Sequence, residues 1–182
     1  MGTFLWPDWY FQGIHCIPKD FFEKNDIKYL ISDIDNTLVT YDDPVPTPRA
    51  QRFLEMLSSA GVAVALASNN NQRRVKTFAS SAGLPAVHSA AKPLRRGALK
   101  AMELIGADIE HCALIGDQLL TDGLTAENLG MRMILVDPVK NDSDANLFFR
   151  FKRWIERPIM KRYLKEHPIN DPTPWRRRKK QK

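Results

Sequence analysis

Five short apolar runs, at Lys28–Ser32, Val62–Ala67, Ala86–His88, Cys112–Ile115 and Arg132–Val136, alternate with stretches whose apolar residues recur three and four positions apart. A run that stays apolar at successive positions suits a strand buried on both faces of a parallel sheet. The intervening stretches carry helix punctuation. Thr47 caps a helix with Pro48 at its first position, Phe53, Leu54 and Leu57 on one face and Gly61 as the stop. The next, about Gln72 to Ala82, places Val75, Phe78, Ala79 and Ala82 on one side and ends at Gly83. Two more are expected from about Leu94 to Ile105 and from Thr121 to Leu129, each followed by glycine. Five strands alternating with four helices predict an α/β fold, a doubly wound parallel five-stranded sheet with right-handed crossovers.

Composition adds the flanks to this picture. The 182 residues, 43% hydrophobic, suit one compact domain with flanking segments. From Met1 to Leu147 there are 14 Lys and Arg against 18 Asp and Glu; from Phe148 to Lys182 there are 13 against 3. All of the basic excess is therefore in the tail. Of 17 aromatic residues, 7 fall in Met1–Phe22 and 6 in Phe148–Lys182, and every tryptophan lies in a flank. The chain divides into an aromatic segment at 1–28, a domain at 29–147 and a basic aromatic segment and tail at 148–182. Residues such as Trp6, Trp9, Tyr10 and Phe11 either pack on the domain or lie in a membrane interface.

No stretch approaches the ~18 apolar residues needed to span a bilayer, and the amino terminus lacks the pattern of a signal peptide. The expectation is a cytoplasmic chain starting near Met1, in a reducing compartment. Cys16 and Cys112 show no disulfide framework, and Cys112, opening an apolar strand, reads as a small core residue.

The chemistry concentrates after the strands. Asp33 and Asp35 follow the first, Ser68-Asn69-Asn70 the second, Lys92 the third, and Asp117 and Asp122 the fourth. Parallel strands all end at one edge, so these residues would converge there without being close in sequence. Taken singly, each has a plainer reading: Asp33 and Asp35 as the start of a solvated loop, Ser68 as a turn residue, Lys92 as a solvated charge, Asp117 as a helix cap. Two adjacent carboxylates at a sheet edge repel each other and lose water, and a bound Mg²⁺ would relieve that cost.

The string Asp33-Ile34-Asp35-Asn36-Thr37-Leu38, then Ser68, Lys92 and Asp117 to Asp122, resembles the four motifs of the haloacid dehalogenase (HAD) superfamily in order over Tyr29–Asp137. That resemblance implies a HAD-like, Rossmannoid fold and a phosphatase. It implies Asp33 as the nucleophile that forms an aspartyl phosphate and Asp35 as the general acid and then base. Mg²⁺ would be held by Asp33, the Asp35 backbone carbonyl and Asp117. Ser68, with the backbone N–H of Asn69 or Asn70, would bind the phosphoryl oxygens, and Lys92 would neutralise them. Asp122 would orient Lys92, and Thr37 would prop the loop. Only ten residues separate Thr37 from Pro48 and five separate His88 from Leu94, leaving no room for a cap domain.

Gly116-Asp117-Gln118-Leu119-Leu120-Thr121-Asp122, with Ser68-Asn69-Asn70-Asn71 and Ala91-Lys92-Pro93, is similar to the capless, IIIA-type phosphatases labelled YqeG-type, which include mitochondrial-type phosphatidylglycerophosphate phosphatases. Residues Gly123 to Asn128 depart from the glycine-rich stretch usual there. An uncapped site is open to water, which favours a large or surface-presented phosphate monoester. The basic aromatic flanks suit an anionic phospholipid, with the protein peripheral on the inner face of the cytoplasmic membrane. The alternatives are a nucleotide, nucleic-acid end or phosphoprotein as substrate, or a nucleic-acid or ribosome-binding module on the same fold.

Overall fold

The computed structural model describes residues 5–139 and 147–174, with the backbone alone for 147–153. The elements are β1 (Trp9–Phe11), α1 (Phe21–Lys24), β2 (Tyr29–Ser32), α2 (Pro48–Ser59), β3 (Ala63–Ala67), α3 (Gln72–Ala82) and β4 (Ala86–Val87). They continue with α4 (Arg95–Leu104), β5 (Cys112–Gly116), a π turn at Leu119–Gly123 that runs into α5 (Leu124–Leu129), β6 (Arg132–Val136) and α6 (Leu147–Glu166). All pairings are parallel, in the order β1-β6-β5-β2-β3-β4. The chain moves outward from β2 through β3 to β4, then returns to β5 on the other side of β2. Loops leaving β2 and β5 diverge, which opens a crevice at their carboxyl ends.

Alternation along the strands sorts the core into two layers. Leu30, Val64, Leu66, Ala113, Ile115, Ile134 and Val136 face α2 and α3, packing with Phe53, Leu57, Val75 and Phe78. Ile31, Ala65, Ala67, Leu114, Met133 and Leu135 face α4 and α5, where Ala98, Ala101, Met102 and Ala126 complete a layer of smaller side chains. Cys112 belongs to this second layer; burial pushes its thiol up to about 12, which makes it an inert core residue.

Among the described residues the sheet has six strands rather than the five expected. Trp9-Tyr10-Phe11 pairs with Ile134-Leu135-Val136 as an edge strand inside a segment broken by Pro7, Gly13 and Pro18. Three residues are too few to show a strand period, and the aromatic composition masked them. Trp6, Trp9, Phe11, Phe21 and Phe22 are buried, so of the two readings of the amino-terminal rings these pack on the domain. Trp9 and Phe11 meet Phe21 edge to face, at centroid distances of 5.1 and 5.3 Å.

The two flanks also meet each other. Trp6 stacks edge-on against Tyr163 of α6, Asn170 N–H donates to the Tyr10 carbonyl at 2.9 Å, and Trp9 Nε1 donates to the Pro172 carbonyl at 2.9 Å. A strap after α6 thus covers the edge that β1 would otherwise expose. α6 runs unbroken through Pro158, where the missing N–H removes one helical bond. Among the described residues no helix is long and apolar enough to cross a membrane. Trp175 and the Arg176–Lys182 run lie outside the described residues.

Candidate active site

Strand ends bring the predicted residues together around a cleft of about 300 Å³. Its lining includes Asp33, Asp35, Ser68, Asn69, Asn70 and Lys92. Asp33 leaves β2 in register, with its N–H on the Ile115 carbonyl of β5 at 3.0 Å, and so sits at the point where the two loops diverge. Neither the 38–47 loop nor the 89–93 loop carries an inserted domain.

The Ser68 and Lys92 loops are zipped together. Ala90 N–H donates to Ser68 O at 3.0 Å and Ser89 N–H to Asn70 O at 2.9 Å. Asn69 closes a reciprocal pair, its Nδ2 donating to Lys92 O at 3.0 Å and its Oδ1 accepting from Lys92 N at 2.7 Å. The Asn69 side chain therefore holds the lysine loop. Ser89 and Ala91 take left-handed φ of 47° and 56°, conformations that cost energy for residues with a Cβ and persist where the surroundings impose them. Gly97 lets α4 press on this loop, since a Cβ there would lie 2.2 Å from the Ala90 carbonyl oxygen.

Buried Lys92 lies between two carboxylates, with Nζ 2.6 Å from Asp33 Oδ1 and 2.7 Å from Asp122 Oδ1. The second Asp122 oxygen accepts the Gln118 N–H at 3.2 Å, so Asp122 is held from both ends. Gly116 makes room for it: a Cβ at that position would lie 2.2 Å from Asp122 Cγ. Burial pushes the Asp33 carboxyl up to about 7, against the pull of Lys92 and with the charges of Asp122 and Asp35 adding to the rise. Burial alone would lower Lys92, but Asp122 and Asp33 outweigh it and hold the ammonium protonated far above the working range.

Carboxylate oxygens of Asp33, Asp117 and Asp122 lie within 4.8 Å of one another, all buried. Three carboxylates against one ammonium leave the floor short of positive charge, and hard oxygen donors suit a small divalent cation. With Asp122 committed to Lys92 and Gln118, Asp33 and Asp117 are the pair best placed to hold one.

On the other side of the cleft, Asp35 Oδ2 accepts Asn70 Nδ2 at 3.2 Å and Ser68 Oγ at 3.4 Å, and Asn70 N–H donates to Ser68 Oγ at 3.0 Å. Asp35 Oδ1 accepts from Arg74, Nη2 at 3.0 Å and Nε at 3.2 Å. Thr37 is buried in the turn. Arg74, Tyr41, Gln118 and Thr121 were not among the expected residues. Tyr41, Gln118 and Thr121 line the cleft without a type-specific signature. Arg74 did leave a signal: with Arg73 it places cations in the first turn of α3, where the helix dipole disfavours them.

This constellation, paired carboxylates at a sheet edge with a carboxylate-held lysine, meets an independent match. The model of the haloacid dehalogenase-like hydrolases matches residues 19–130. The chain belongs to that family and is a phosphatase. A protein of Bacillus subtilis (strain 168) named "Probable phosphatase YqeG" is 39% identical over 161 residues, 88% of this chain and 92% of its own. An uncharacterized protein from Listeria monocytogenes serotype 4b shares the fold at 17% identity and a TM-score of 0.53, over 66% of this chain and 86% of its own. A hypothetical protein from Xanthomonas campestris does so at 17% identity and a TM-score of 0.50, over 73% and 74%.

Proposed function

We propose that this phosphatase is Mg²⁺-dependent and hydrolyses phosphatidylglycerophosphate to phosphatidylglycerol at the surface of an anionic membrane. The observation that carries the chemistry is the seating of Lys92 between Asp33 and Asp122, with Asp35 facing the same open cleft. Asp33 attacks phosphorus as the bond to the leaving oxygen breaks, and Asp35 delivers a proton to that oxygen. Asp35 then takes a proton from a water, whose oxygen displaces the phosphoryl group from Asp33 and yields inorganic phosphate. Lys92 and Ser68 hold the transferring oxygens. Mg²⁺ bound by Asp33 and Asp117, with the Asp35 carbonyl, would neutralise phosphoryl charge.

The lipid assignment is supported by where large apolar side chains face solvent. Among the described residues they are Tyr41 and Val45 on the loop after β2, Leu94, Leu99 and Leu104 on or beside α4, Ile109 beyond it, and Trp154 and Leu164 on α6. None lies on α2 or α3. Helices α4 and α6 also expose Arg95, Arg96 and Lys100, and Arg157, Lys161, Arg162 and Lys165. Leucine and tryptophan among cations suit an anionic interface.

The test is phosphate release from phosphatidylglycerophosphate in mixed micelles, with and without Mg²⁺, beside soluble phosphate esters. The expected result is Mg²⁺-dependent release with strong preference for the lipid. Equal or better turnover of soluble esters would overturn the lipid assignment, and undiminished turnover in chelator would overturn the cation.

A further inference from the structure

Arg74 is tied both to Asp35 and to the loop after β2, and the Asp33–Lys92–Asp122 arrangement gives it no role. Its guanidinium donates twice to Asp35 Oδ1, and its remaining N–H groups reach the carbonyls of Asp43 and, at 3.1 Å, Thr40. The side chain is 13% exposed and also lies over the Phe78 ring, with Cζ 5.8 Å from the centroid. The 40–43 loop is itself folded so that Asp43 Oδ2 accepts both the N–H and the hydroxyl of Thr40, at 3.0 and 2.7 Å. A rigid loop, a rigid guanidinium and Asp35 thus form one unit.

The two oxygens of Asp35 are treated differently. Oδ1 receives two charge-assisted bonds from one guanidinium, at 3.0 and 3.2 Å. Oδ2 receives two neutral donors, at 3.2 and 3.4 Å, from Asn70 and Ser68, both of which line the cleft. We propose that Arg74 is a positioning residue that occupies Oδ1 of Asp35 and leaves Oδ2, on the cleft side, as the oxygen that gives and takes the proton. The inference rests on Asp35 being the proton donor of the proposed reaction. Lysine in this place could donate to Oδ1 but could not also reach both loop carbonyls in a fixed plane.

An arginine that only pinned the loop would affect all substrates alike. A residue that aims a proton matters most when the departing oxygen needs one. The experiment compares Arg74→Ala, Arg74→Lys and Asp35→Asn on an alkyl phosphate, whose alkoxide must be protonated as it leaves, and on p-nitrophenyl phosphate, whose phenolate leaves unaided. Mispositioning a reacting group costs on the order of 100-fold. Arg74→Ala is therefore expected to lose about that much kcat on the alkyl phosphate and only a few-fold on the aryl one, with added guanidinium restoring part of the loss. Arg74→Lys should fall between, and keeps the question open to measurement if the alanine variant does not fold. If Asp35→Asn shows the split between substrates and both Arg74 variants lose equally on each, the positioning role is overturned. If Asp35→Asn shows no split, the assignment of Asp35 as proton donor fails first, and the role of Arg74 falls with it.

Discussion

On the Lys92 side of the cleft, two carboxylates share one ammonium at 2.6 and 2.7 Å, a third carboxylate lies close by, and the whole group is buried. On the Asp35 side, one carboxylate is matched by one guanidinium and finished by neutral donors from Ser68 and Asn70. The first half gathers three acidic side chains around one ammonium; the second pairs one carboxylate with one guanidinium. Under the proposed mechanism this contrast assigns the cation to the first half and the proton transfer to the second. It also says which substitutions should be catastrophic and which graded.

The sharpest break comes from Asp33→Asn. The change keeps the shape and removes the carboxylate proposed to accept the phosphoryl covalently, so turnover should fall on the order of 10⁴-fold or more. Phosphate release and trapping of phosphorylated protein check this together. Retained turnover would move the reaction to the other half of the cleft.

Lys92→Ala tests the charge deficit directly. Breaking a buried ion pair by removing one partner costs roughly 3–5 kcal/mol, because the other charge stays buried and unmatched. Here two carboxylates are left. The expected result is a large drop in melting temperature that Mg²⁺ partly reverses, with a bigger Mg²⁺ effect than in the parent protein. A variant that melts like the parent without Mg²⁺ would show that the Asp33–Asp122 pair is not strained by its own repulsion.

Gly116→Ala asks how tightly Asp122 is seated. The added Cβ would lie 2.2 Å from Asp122 Cγ, and overpacking of this kind typically costs about 1–3 kcal/mol. In an Asp122→Ala background the same substitution should cost much less, since the obstructing atoms are gone. Chemical denaturation of the four proteins gives the coupling.

Much of this contrast was legible in the chain. Residues Asp33, Asp35, Ser68, Lys92, Asp117 and Asp122 each follow an apolar run, and parallel topology alone brings them to one edge. Strand β1 was not legible, because three aromatic residues between prolines and a glycine carry no period and gain their register from β6. Nor was the packing of the flanks on each other. Tyr163 on Trp6, and Leu120 N–H on Glu156 Oε1 at 2.9 Å, are contacts across more than thirty residues that no local pattern encodes. Arg74 is an intermediate case: the anomaly of a cation in the first turn of α3 was visible, but its target required the loop geometry of Thr40 and Asp43.

The smallest expected effect lies at the rim that joins the two halves to solvent. Leu94 is the N-cap of α4, two residues from Lys92, yet it makes no capping bond and is 63% exposed. Serine at an N-cap accepts a backbone N–H that leucine leaves open, which is typically worth about 1 kcal/mol. A leucine there gives up helix stability for an exposed apolar side chain, which the proposed membrane contact would use. Leu94→Ser should therefore raise the melting temperature slightly, leave soluble-ester turnover unchanged and lower turnover of a bilayer-presented substrate a few-fold. Equal effects on soluble and membrane-borne esters would mean that this leucine meets no bilayer.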